Sequence, residues 1–143
     1  MPITKSGDYM TRKLAAELLG TGLLVYFAVG VATLSFGFGT AGSSYAAGVV
    51  ATAFAFGFVL LALTYVLRPI SGCHVNPAVT VGALLAGRIP IVEAVGYWVA
   101  QFAGGIIGAL LLWGTFALPR YTTVRPRAWG PTAGALPAIS TST

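Results

Sequence analysis

Charge is what this chain has least of. Asp, Glu, Lys and Arg make up 8% of its 143 residues, against about 25% in a typical soluble domain. So little charge cannot cover a water-exposed surface, and with 57% hydrophobic residues the chain reads as resident in a bilayer. Cysteine and histidine are nearly absent: Cys73 and His74 each stand alone. A single cysteine closes no internal disulfide and leaves the redox compartment open. No acid–base pair, nucleophile–base set or metal cluster can be assembled, so neither an enzyme nor a cofactor or metal site is expected. The net charge of +5 is not a nucleic-acid footprint, because the basic residues are scattered at the ends of apolar segments, where cations meet lipid headgroups. A cleavable leader is not expected either. The apolar run that opens at Leu14 continues to about Phe38, past the ~7–15 residues of a signal-peptide core.

What is present in abundance is long apolar segments. Residues 1–13 are polar and carry Lys5, Asp8, Arg12 and Lys13. A first span is expected over about residues 14–35, followed by an uncharged Gly/Ser linker over 37–45. A second span is expected over about 46–67, ended by Arg68-Pro69, since proline disfavours helix at the residue before it. Residues 77–87 are apolar but short. At ~1.5 Å per residue they reach ~16 Å, about half of a ~30 Å hydrocarbon core, which reads as a re-entrant half-helix. Gly87-Arg88-Ile89-Pro90 would end it, and a third span follows over about 91–118. The fold expected is therefore an all-α membrane protein with three transmembrane helices and one half-helix. Residues 1–13 form an N-terminal segment, 14–118 the membrane domain, and 119–143, rich in Pro, Gly, Ser, Thr and Ala, a disordered tail.

Basic residues suggest an orientation. Lys5, Arg12 and Lys13 precede the first span, Arg68 and Arg88 follow the second, and the intervening linker has none. The positive-inside tendency places the N-terminus and residues 68–90 in the cytoplasm. Arg120, Arg125 and Arg127 of the tail then fall on the opposite side and weaken the bias. Small residues recur every four positions at Ala47/Ala51/Ala55, Ala78/Gly82/Ala86 and Ala100/Gly104/Gly108. Such stripes let helix backbones approach closely in lipid, and together they predict a tight bundle around the half-helix.

The chemistry sits in residues 71–80, Ser-Gly-Cys-His-Val-Asn-Pro-Ala-Val-Thr. A helix break at membrane depth is tolerated only where it is buried in protein or lines a water-filled cavity. Asn76 suits the N-cap and Pro77 the first helical position. If the Asn76 side-chain oxygen caps the helix, its NH2 is left to donate to a water oxygen. The helix N-terminus adds a partial positive charge of ~0.5 at the same point. Donors and positive potential orient water by its oxygen and repel cations, while the carbonyls of residues 72–75 offer acceptors to the same file of water.

Residues 71–80 closely resemble the first Asn-Pro-Ala loop of the aquaporin, or major intrinsic protein, family. Residues 17–21 (Glu-Leu-Leu-Gly-Thr) look like the family's first-helix motif and Ala55-Phe56-Gly57 like its second-helix motif. Residues 87–90 and 100–105 fit the end of its half-helix and its third helix. The resemblance covers about residues 12–118 and is nearest to bacterial water-channel members. It implies passive movement of water, with small neutral solutes admitted as a further range. Asn76 with Pro77 and Ala78 would form the pore centre, and Gly72, Cys73, His74 and Val75 would present carbonyls. Phe56 would stand at the outer selectivity filter, where Phe resembles water-selective more than glycerol-conducting members. Glu17 and Gln101 would brace the loop as buried polar residues, and a thiol reagent at a pore-facing Cys73 would obstruct flow.

The resemblance also implies a multi-pass protein of a bacterial inner membrane, with the lipid bilayer and water as its partners. A homo-oligomer, tetrameric in the family, or a complementary half-channel would complete it. The family builds its pore from two inverted repeats, and this sequence supplies one. No second Asn-Pro-Ala follows residue 118, and the filter Arg and His have no counterpart. The composition after Leu118 suggests a shifted reading frame, so a second repeat in a downstream frame of the gene is the expectation. Three other readings compete with a half-channel awaiting its complement. One is self-pairing in opposite orientations. Another is a non-conducting membrane fragment or interaction partner of a full-length channel. The last is a secondary transporter, against which the lack of intramembrane charges besides Glu17 argues.

Overall fold

The computed structural model describes residues 6–37 and 44–117. The centre of the expected Gly/Ser linker and the tail from 119 lie outside them. Among the described residues all regular structure is helical. The first span is α1 (Ser6–Leu24), a π turn at Val25–Val29, the short α2 (Gly30–Ala32) and a second π turn at Thr33–Gly37. Then follow α3 (Tyr45–Ser71), α4 (Pro77–Leu85) and α5 (Ile91–Ala117). Three of these segments, Gly7–Gly37, Tyr45–Ser71 and Ile91–Ala117, are long and apolar enough to cross a membrane, and the protein is a multi-pass membrane protein.

The first helix starts earlier than the hydrophobic pattern predicts, and α1 runs through the 13/14 boundary without a break. Its polar first turns have partners that make helix favourable there. Lys13 Nζ lies 2.9 Å from Glu93 Oε1 at the start of α5, and the same ammonium stands 4.5 Å from the centre of the Tyr9 ring, a cation–π contact. The bundle is built on α1 against α5. Gly104 and Gly108 lie on the Leu18 and Gly22 carbonyls so closely that a Cβ at either position would collide with main chain. This stripe of small residues makes the backbone approach expected of it. The other two do not within this chain: Ala47 and Ala51 are exposed, Ala55 is half-buried, and Ala78, Gly82 and Ala86 are exposed.

Pro69 does not end α3, which continues to Ser71. Continuing past a proline forfeits one backbone hydrogen bond, whereas unwinding at Arg68 would strand several polar groups at membrane depth. The helix ends instead where Gly72 adopts φ +87° and its N–H reaches the Arg68 carbonyl at 3.1 Å. Glycine takes this left-handed conformation at little cost. The end of α4 is a Schellman motif: Gly87, at φ +68°, donates to Leu84 O and Arg88 donates to Ala83 O.

Candidate functional site

The site is the loop 72–76 between α3 and α4. Three of its residues take left-handed φ values: Gly72, Cys73 (+55°) and Val75 (+41°). For a β-branched residue such as Val75 this is a strained conformation, costing of the order of 1–3 kcal/mol, and it persists only where the surroundings impose it.

Glu17 imposes it. Its side chain on α1 is fully buried, and Oε1 accepts from Ser71 Oγ (2.6 Å) and His74 N (2.9 Å). Oε2 accepts from Val75 N (2.7 Å) and Gln101 Nε2 (2.8 Å). A carboxylate offers about four acceptor positions, and here four donors use them. Ser71 Oγ in turn accepts from Cys73 N at 3.1 Å. The backbone N–H groups of residues 72–75 are thus all drawn inward, onto the Arg68 carbonyl, Ser71 Oγ and the two Glu17 oxygens. No hydrogen bond among the described residues reaches the carbonyls of residues 72–75. At membrane depth, acceptors left over in this way must face water or a partner.

Asn76 completes the loop. With φ −155° it stands as N-cap of α4, and its Oδ1 accepts from Ala78 N at 2.8 Å. Pro77 follows at the first helical position, where no N–H is missed. The Asn76 side chain is exposed, and its NH2 makes no hydrogen bond among the described residues. The nine residues of α4 span about 14 Å, roughly half a hydrocarbon core. The donor therefore sits at the positive end of a half-length helix.

Three further residues belong to the site. Tyr97, fully buried, donates from its hydroxyl to Ser71 O at 2.6 Å and meets the His74 ring edge-on at 5.1 Å. The Thr80 hydroxyl lies 3.1 Å from His74 Nδ1 and accepts from Gln101 Nε2 at 3.0 Å. Ser71 links Glu17, Cys73 and Tyr97. Sequence reasoning assigned none of the three a role. The available signal was a polar side chain facing inward from an apolar span, which shows for Tyr97 only once its face of α5 is known.

The side chains of Cys73 and Phe56 lie elsewhere. Cys73 packs in an apolar cluster with Leu63 and Val75, flanked by Leu24, Val59 and Leu67. Its thiol is buried there and not displayed on an open surface. Phe56 lies on α3, roughly 22 Å of helix away from Ser71, and is 40% exposed. On the side of Arg68 and Arg88, an open concavity of about 640 Å³ reaches the loop at Gly72 and His74, with Lys13 and Glu93 on its wall.

A family model described as Major intrinsic protein matches residues 4–133. Aquaporin Z of Photorhabdus laumondii is 42% identical over 104 residues, 73% of this chain and 43% of that protein. Aquaporin Z of Bradyrhizobium diazoefficiens is 40% identical over 102 residues, 71% of this chain and 41% of that protein. Aquaporin Z of Brucella melitensis biotype 1 is 36% identical over 104 residues, 73% of this chain and 44% of that protein. The chain spans less than half the length of these relatives.

Proposed function

This chain belongs to the major intrinsic protein family, and on that footing we propose that it forms one half of a passive pathway for water across a bacterial inner membrane. One observation carries the reading. Residues 72–75 turn their N–H groups into the protein, leaving their carbonyls and the Asn76 NH2 as the groups available to a permeant. Water can accept from one end of such a path and donate to the other, so it passes without losing its hydrogen bonds. The Asn76 donor and the α4 N-terminus orient water by its oxygen and oppose cations, protons included. Glu17, Gln101, Ser71 and Tyr97 hold the loop in place, and Phe56 narrows the outer part of the path. The N-terminus and the concavity lined by Arg68 and Arg88 face the cytoplasm, following the distribution of basic residues.

Completion of the pathway needs a partner. Val79 and Leu85 on α4, and Phe58, Tyr65 and Val66 on α3, are more than half exposed or close to it, and a complementary half-channel would cover them. The family's tetramer is the assembly proposed. The same uncovered faces favour a second reading, in which the chain is a non-conducting partner of a full-length channel.

The test is osmotic shrinkage of proteoliposomes, followed by stopped-flow light scattering. The samples hold this chain alone, this chain with a complementary half, and the Asn76→Asp variant of each. Shrinkage well above bare lipid that the variant abolishes supports the water pathway. Shrinkage at the bare-lipid rate with both halves inserted refutes it. Co-purification with a full-length channel without permeability of its own then identifies the second reading.

A further inference from the structure

Trp98 adjoins the buried network without belonging to it. Its neighbours Tyr97 and Gln101 reach toward Ser71 and Glu17, whereas its indole Nε1 donates to the Pro77 carbonyl at 3.2 Å. That carbonyl belongs to the first residue of α4, immediately after Asn76. The second hydrogen bond from an α5 side chain to α4 is Gln101 Nε2 to Thr80 Oγ1. The two bonds match in register. Trp98 and Gln101 are three residues apart on α5, as Pro77 and Thr80 are on α4, and residues at that spacing share a helix face.

One such bond is a pivot and two make a fixed bar. A helix of nine residues has little stability of its own and takes its direction from what it packs on, here chiefly α5. Glu17 holds the backbone up to Val75, but with α4 itself pinned at Thr80 alone its first turn could still tilt about that point. Asn76 lies four residues away, about 6 Å along the axis, so a swing of only 10° would carry its amide roughly 1 Å. The Trp98 bond removes that freedom next to Asn76 and uses a second lone pair of a carbonyl already inside the helix.

We propose that Trp98 is a positioning residue for Asn76: its N–H on the Pro77 carbonyl fixes the direction in which the Asn76 amide is presented, and so sets how strictly the path admits water over larger neutral solutes. The selectivity clause rests on the proposed water pathway, while the positioning clause stands without it.

The experiment separates the hydrogen bond from the bulk of the ring. Trp98 is replaced by 3-benzothienylalanine, which keeps the bicyclic shape and puts sulfur where the N–H was, and in parallel by Trp98→Phe. Amide hydrogen exchange is then read in nanodiscs, which requires no conduction. Both variants are expected to speed exchange at Ala78 and Thr80, whose N–H groups bond to Asn76, at least fivefold and to leave Gly104 and Gly108, in the α1–α5 contact, unchanged. Unaltered exchange at Ala78 in the benzothienyl protein overturns the proposal. In the conducting assembly the glycerol-to-water permeability ratio is expected to rise at least threefold. An unchanged ratio overturns the selectivity clause. If the unmodified assembly does not conduct, the water pathway and with it the selectivity clause fall, and exchange at Ala78 alone decides the positioning.

Discussion

Glu17 shows how one side chain can set a backbone. Its two oxygens take donors from α3, from the loop and from α5, so the strained φ of Val75 is imposed from α1, more than fifty residues away. Glu17→Gln keeps the shape but turns an NH2 toward groups that are themselves donors. At least one buried donor then goes unsatisfied, at about 1–3 kcal/mol. The expected result is a lower thermal midpoint in detergent, with faster amide exchange at His74 and Val75 than at the α1–α5 contact. Cys73 gives a second residue-scale prediction, opposite to the one its sequence position invites. With its thiol inside the Leu63 cluster, Cys73 should react with a maleimide or mercurial at least tenfold more slowly in the folded protein than after denaturation. Mass spectrometry of the labelled fraction over time measures this. Labelling at equal rates in both states would place the thiol on an open surface.

At the scale of elements, the decisive contact is backbone on backbone. Gly104 lies on the Leu18 carbonyl and Gly108 on the Gly22 carbonyl, so Gly104→Val must push α1 away from α5. Overpacking of this kind costs about 3 kcal/mol, and here it also drags Glu17 off the loop. A lowered unfolding midpoint is expected together with faster exchange at Val75. Gly57→Ala is the matching control: nothing lies within 4 Å of a Cβ there, and the change should stay within about 1 kcal/mol of neutral, since alanine is the better helix former. The small-residue spacing at 100/104/108 was legible in the sequence, but so were two identical spacings that make no such contact within this chain. Four-residue spacing says that a helix can be approached, not which helix approaches it. Helix ends divide in the same way. Gly87 marked the end of α4 because its φ of +68° suits glycine locally, whereas Pro69 failed to mark the end of α3. Ser71, tied to Glu17 and Tyr97, belongs to a tertiary network that holds α3 helical past the proline.

For the whole molecule the notable quantity is what stays uncovered. Of the most apolar stretch of α3 only 11% is buried, against 28% for the other two spans, and α4 shows its Ala78/Gly82/Ala86 stripe outward. A half-length helix that ends in the middle of a bilayer with its donor exposed needs either water or protein at its tip. A complementary half should therefore bury α4. The expected outcome is that co-reconstitution with such a half slows amide exchange of residues 78–86 at least fivefold, while residues 104–108, already covered by α1, change little. Uniform protection along all helices would indicate non-specific association.

Composition and pattern alone determined that this is an all-α membrane protein, that it has three spans and a half-helix, and that residues 71–80 break the pattern at a chemically meaningful place. Those conclusions follow from local and additive properties: transfer free energy summed along a segment, the missing N–H of proline, the capping oxygen of asparagine. Tertiary structure alone decided which groups the loop exposes. The direction of the His74 and Val75 N–H bonds depends on a carboxylate held on another helix, the burial of the thiol depends on the cluster around Leu63 that it joins, and the contacts of Tyr97 and Ser71 depend on which face of α5 meets the end of α3. These are relations between residues far apart in the chain, set by the closeness of α1 and α5 that Gly104 and Gly108 permit.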